Sequence, residues 1–186
     1  MKLAKKILGI TMVLVIVLLL FALFVDQEFK IEKQVEINAS QNEVFSYLKN
    51  LKNQDSFSKW GKMDPNMDKS FYGNDGTVGF IASWKSQNPD VGSGEQEIIK
   101  IEENKRIDFE LRFKEPLDAN NTAFFIIEQI SKDKSLVKWG FEGEIDYPFN
   151  LMLPFMNMDK VIGDDLQIGL NNLKELMEQN TNKIVP

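Results

Sequence analysis

The feature that most constrains this chain is a change of hydrophobic period. Between residues 70 and 147 apolar and polar residues alternate, and over about 157–179 they recur at helical spacing. In "RIDFELRFK" Ile107, Phe109, Leu111 and Phe113 point one way, while Asp108, Glu110, Arg112 and Lys114 point the other. That is a strand with one solvated face. "TVGFIASW", "EQEIIKIEE", "TAFFIIEQI" and "SLVKWGFEGEIDY" read as further strands, and the short turns "GNDG", "NK" and "SKDK" make them antiparallel hairpins. In the second region Met158, Ile162, Leu166, Leu170, Leu173 and Met177 form one stripe of a long helix. A sheet with one polar face buries the other against such a helix. Upstream, "FKIEKQVEI" is a strand, Ser40 with Glu43 makes a capping box that starts a helix, and "NQDSFSKW" reads as a second short helix. The expected class is α+β, with about seven antiparallel strands.

Ahead of this domain lies "ILGITMVLVIVLLLFALFV", Ile7–Val25, without a charge. As a helix it spans roughly 28 Å, close to the hydrocarbon thickness of a bilayer. A cleaved signal peptide has a shorter apolar core and small residues before the cut, and "FALFVDQ" has no such pattern. The expectation is an uncleaved anchor. Lys2, Lys5 and Lys6 on its N-terminal side place that end in the cytoplasm and the domain outside. The expected segments are 1–28 for tip, anchor and linker, 29–180 for the domain, and 181–186 for a tail.

Composition then excludes several chemistries. The net charge is −6, and because three lysines precede the apolar run, the remainder is more acidic still. Such a surface repels phosphate backbones, so nucleic acid is not expected as a partner. There is no cysteine and no histidine. Thiol nucleophiles, disulfides and the usual transition-metal ligands are therefore absent, along with the usual general base near neutral pH. No cofactor and no metal is expected. Asp159, Asp164 and Asp165 suggest a cation site at first sight, but acidic residues early in a helix are usually dipole partners. "GNDG" is a hairpin turn and not a phosphate loop.

The order of elements resembles the SRPBCC superfamily, the helix-grip fold shared by START lipid-transfer domains and polyketide cyclase/dehydrase proteins. The carrying stretches are "VEINASQNEVFSYLKNLKN", "FYGNDGTVGFIASWKS", "GSGEQEIIKIEENKRIDFELRF", "LVKWGFEG" and "MDKVIGDDLQIGLNNLKELME", covering roughly 30–180. The resemblance implies a curved sheet gripping the long C-terminal helix, with an apolar cavity between them. It does not fix a function, because that fold hosts carriers, cyclases and regulators of other proteins.

The residues expected to face the cavity from the strands are Val78, Phe80, Trp84, Phe109, Leu111 and Phe113, then Trp139, Phe141 and Tyr147. Ile162, Leu166, Gly169 and Leu170 are expected to face it from the helix. Gly169 either leaves space or lets Trp139 or Phe141 pack close. Glu95 and Glu97 share parity with Ile99 and Ile101, which points them inward unless a bulge near Gly92 and Gly94 turns both to solvent. Glu97 and Tyr147 are the catalytic candidates. Arg106 and Arg112 fall on the polar face. The stretch "YPFNLMLPFMNMDK" is unusually apolar for a connection. Since only "DQE" separates Phe29 from the anchor, this loop is expected at the membrane end, with Met152 and Met156 touching lipid or an entering ligand. The expected function is binding of a hydrophobic small molecule or lipid by a monomeric domain anchored at a membrane. A polyketide cyclase-like enzyme and a protein-binding module for a membrane partner are the alternatives.

Overall fold

A computed structural model describes residues 2–182. The expected tail therefore lies, from residue 183 on, outside the described residues. The chain divides into two compact units, 1–29 with 144–158, and 30–143 with 159–186.

The larger unit carries the sheet. Its strands are β1 (Glu28–Ile37), β2 (Asp68–Tyr72), β3 (Ile81–Lys85), β4 (Ser93–Glu102), β5 (Arg106–Glu115), β6 (Ala119–Ser131) and β7 (Lys134–Glu144). They pair in the order β1-β7-β6-β5-β4-β3-β2, so the first strand closes beside the last. The pairs from β2 through β7 are antiparallel. The concave face is covered by α5 (Asp164–Asn182) and by three helices after β1: α2 (Gln41–Lys49), α3 (Gln54–Phe57) and α4 (Lys59–Met63). The core joins Ile37, Val44, Phe45 and Leu48 to Ile98, Ile107, Phe109, Phe125, Ile127 and Val137 of the sheet and to Leu166, Leu170 and Leu173 of α5.

Local chemistry explains the elements. Ser40 caps α2: its hydroxyl accepts from Glu43 N, and the Glu43 carboxylate accepts from Ser40 N at 2.9 Å. The "GNDG" turn has a second task. Asp75 accepts from Leu51 N and Lys52 N, so its carboxylate caps the 3₁₀ turn Leu51–Asn53 that leads into α3. Asn172 on α5 donates to Phe57 O at 2.9 Å and holds α3 to the long helix.

The long helix begins close to where it is expected, at 158, and its first turn, Asp159–Gly163, is π-helical before α5. Two expectations change. β3 does not begin at Thr77. Gly79 adopts φ +87°, the chain turns there, and Val78 is exposed, not inward. β7 ends at Glu144, so the alternation expected to carry Tyr147 inward stops short of it.

The smaller unit contains α1 (Lys2–Ala22), which is long and apolar enough to cross a membrane. It also contains a 3₁₀ segment, Phe149–Phe155, within the apolar stretch that follows β7.

Candidate functional site: an apolar cavity under α4 and α5

A cavity of about 590 Å³ opens within the larger unit. One wall is the concave face of the sheet, with Ala82, Trp84, Leu111, Phe113, Trp139 and Phe141. A second wall is the start of α5 and the turn before it, with Val161, Ile162 and Leu166. The third comes from α3 and α4 and the chain beyond them, with Trp60, Met63 and Met67. All three tryptophans of the chain line this space.

The aromatic walls are interlocked. Trp84 meets Phe113 edge-on at 5.8 Å, and its indole Nε1 donates to Val91 O. Trp60 stands edge-on to Trp139 at 6.2 Å, and Phe57 and Phe125 pack on the other sides of Trp139. Each such pair contributes about 0.5–1.5 kcal/mol beyond its buried area, which favours this arrangement of the rings. The walls are mainly apolar, but Lys52, Asp55, Lys69, Asp90 and Glu115 line the space as well. Ser58 and Gln96 are buried, and Gln96 Nε2 donates to Gln54 Oε1. Lys59 of α4 forms an ion pair with Asp165 of α5, and both line the cavity. Apolar walls with a few convergent polar groups are the usual make-up of a small-molecule site.

The expected cavity residues separate into three groups. Trp84, Leu111, Phe113, Trp139, Phe141, Ile162 and Leu166 do come together around the space. Phe80, Phe109 and Leu170 are fully buried packing residues of the core. Gly169 is a packing position too: a Cβ there would lie 2.6 Å from Trp139 Cζ3, so the glycine admits the indole and leaves no room. Tyr147, Met152 and Met156 belong to the smaller unit, where Tyr147 and Met152 are exposed.

The inward parity of Glu95 and Glu97 does not hold. β4 has a register shift between Ile98 and Lys100, so the face occupied by Ile101 after the bulge is occupied by Gln96 and Ile98 before it. Glu95 and Glu97 instead accept from Arg112 at 2.6 and 2.8 Å, and Glu110 accepts from the same guanidinium. Glu95 foremost, then Glu97 and Glu110, hold Arg112 firmly protonated against the opposing effect of desolvation. Glu97 is thus one of three carboxylates neutralising a single arginine on the sheet's outer face. Arg106, on the same face as expected, pairs with Asp108 at 2.6 Å and lies 4.4 Å over the Phe124 ring. Of the early acidic residues near α5, Asp159 pairs with Lys33 and Asp165 with Lys59.

The α3–α4 wall has no counterpart among the expected cavity residues. "NQDSFSKW" gave a short helix and no sign that Ser58, Lys59 and Trp60 would face a cavity. Gln96 faces inward because the register shifts at Ile98/Lys100, a position at which no glycine or proline marks a bulge in the sequence.

A curved antiparallel sheet, a long C-terminal helix and an apolar space between them define a helix-grip protein. The sequence profile of the polyketide cyclase / dehydrase and lipid transport family matches residues 28–178, and the chain belongs to that family. No curated protein sequence matches it significantly. Among solved structures, norcoclaurine synthase from Thalictrum flavum in complex with dopamine and hydroxybenzaldehyde is similar at TM-score 0.63 and 13% identity, over 84% of this chain and 90% of that one. The di-domain ARO/CYC StfQ from the steffimycin biosynthetic pathway is similar at 0.62 and 10% identity, over 84% of this chain and 53% of that one. The Aha1 dimer from Colwellia psychrerythraea is similar at 0.55 and 14% identity, over 81% and 96%. At these identities the likeness is one of fold.

Proposed function

We propose that this protein binds a hydrophobic small molecule or lipid in the cavity between the sheet and α5, and that α1 anchors it in a membrane with the N-terminus cytoplasmic. The observation that carries this is a space of about 590 Å³ whose walls are mainly apolar and include all three tryptophans. That volume lies in the range of drug-sized ligand sites. Membership of a family described as including lipid transport supports the same reading.

The three tryptophans give the test a built-in reporter. In full-length protein held in nanodiscs, a polyene fatty acid bound in the cavity quenches tryptophan emission by energy transfer. Ala82 lines the same space, and Ala82→Phe fills part of it. The variant is expected to weaken probe binding by about tenfold or more, since one lost apolar contact of this size is worth about 1–3 kcal/mol. Unchanged transfer in a folded Ala82→Phe protein would remove the cavity as the binding site.

A second reading, a cyclase- or dehydrase-like enzyme without metal, has one specific observation in its favour: the Lys59–Asp165 ion pair on the cavity wall. Lysine and aspartate are groups able to move a proton in a protein without histidine. On that reading Asp165→Asn keeps the bound molecule and stops its conversion, which mass spectrometry of the bound species detects. Identical bound species from both proteins would leave the binding function alone.

A further inference from the structure

The smaller unit joins two apolar segments that the sequence keeps far apart. Asn150 is fully buried, and its Nδ2 donates to Ala22 O and to Val25 O, both at 2.8 Å. These carbonyls belong to the last turn of α1 and the residues after it, where the regular intrahelical acceptor pairing ends; Ala22 O also accepts from Val25 N. Ile145 N donates to Gln27 O at 2.9 Å, so the loop is tied at a second point just beyond the helix. The 3₁₀ segment Phe149–Phe155 is therefore fixed in depth relative to the end of α1.

What this segment presents outward is apolar. Phe155 is 87% exposed, Phe149 67% and Met152 55%, and Phe24 beside the end of α1 is 85% exposed. No charge occurs between Asp146 and Asp159. The segment also meets much of its own backbone need, since Asn150 N, Leu151 N and Met156 N bond to Asp146, Pro148 and Met152 carbonyls. An exposed, uncharged apolar segment with internally bonded backbone suits the boundary between head groups and acyl chains. Water suits it poorly.

We infer that Phe149–Phe155 is a second membrane contact, an uncharged wedge that inserts shallowly into the leaflet where α1 ends and is set at that depth by Asn150. The inference rests on the reading of α1 as a membrane anchor. The occupant of the surface is lipid, because the loop is hydrogen-bonded to the end of the helix that would cross it. An anchor with a wedge at its exit resists swivelling, whereas a single helix does not.

The absence of cysteine makes a direct test possible. Val17→Cys, Met152→Cys and Phe155→Cys of the full chain are labelled with an environment-sensitive fluorophore and reconstituted into phosphatidylcholine vesicles. Nitroxide lipids carry the quencher either near the head group or deep in the chain. The labels at positions 152 and 155 are expected to lose about half their emission to the shallow quencher, as interfacial depth implies, and the label at position 17 to respond to the deep one. Asn150→Ala is expected to abolish the shallow quenching at 155 and to leave position 17 as it was. Water-like emission at 152 and 155, with position 17 quenched, overturns the wedge and leaves the anchor standing. No quenching at position 17 overturns both.

Discussion

Ser40 shows how much one side chain organises. Its hydroxyl and backbone N–H both engage Glu43, whose carboxyl is held below the usual range first by the hydroxyl and then by the backbone bond. Ser40→Ala is expected to cost about 1 kcal/mol of stability, the usual worth of such a cap. The pH dependence has a definite sign. A lowered carboxyl pKa contributes stability that is complete above the ordinary value of roughly 4.3 and is lost as pH falls through the folded value. Glu43→Gln is therefore expected to lower stability at neutral pH and to flatten its fall in acid, as chemical denaturation across pH 3–7 (~) reads directly. Gly169 is the other telling residue. Gly169→Ala drives a methyl into Trp139, and overpacking of this kind costs about 1–3 kcal/mol. Because replacing a helix-interior glycine returns about 0.5–1 kcal/mol, a small net loss is expected; a clear gain in melting temperature would mean that the indole moves aside.

Between elements, ion pairs position α5. Lys59 ties α4 to its first turn, and Lys33 on β1 holds Asp159 in the π-helical turn before it. Lys59→Ala leaves Asp165, which is mostly buried, without its partner. Lys59 itself is partly solvated, so the loss is discounted to about 1 kcal/mol. A paired Lys59→Met, Asp165→Leu substitution is expected to regain that stability, as a double-mutant cycle in denaturant would reveal. The same pairs bear on metals. With Asp159 and Asp165 committed to lysines, EDTA is expected to leave the melting temperature where it was. A reproducible drop would mean that an oxygen-ligand site exists.

At the scale of the whole molecule the larger unit has its own core, built entirely from residues between Ile31 and Met177 and without any from 144–158. A chain beginning at Asp26 is therefore expected to keep the sheet and α5 folded. It lacks the Ala22 and Val25 carbonyls that Asn150 engages, and it keeps Phe149, Met152 and Phe155 exposed. Self-association through that surface is the expected result, and the triple change Phe149→Ser, Met152→Ser, Phe155→Ser is expected to restore a monomer by light scattering. Aggregation that persists in the triple variant would mean that α1 is needed for folding itself.

The sequence by itself determined the class of fold, the apolar helix at the N-terminus, the capping box at Ser40 and the polar outer face of β5. Each is a local pattern, in which a residue's face follows from the period of its own element. Tertiary structure alone decided the rest, because period carries no information across an interruption. One extra residue at the Ile98–Lys100 bulge moved Glu95 and Glu97 to the outer face and brought Gln96 inside. The ending of β7 at Glu144 released Tyr147 from the sheet. Lys59 met Asp165 across 106 residues, and Asn150 met Ala22 across 128, pairings set by the packing of whole elements and by nothing in the neighbourhood of either residue. The cavity wall of α3 and α4 arose in the same way: short helices carry too few turns to declare a face, so their inner side exists only once α5 and the sheet are there to define it.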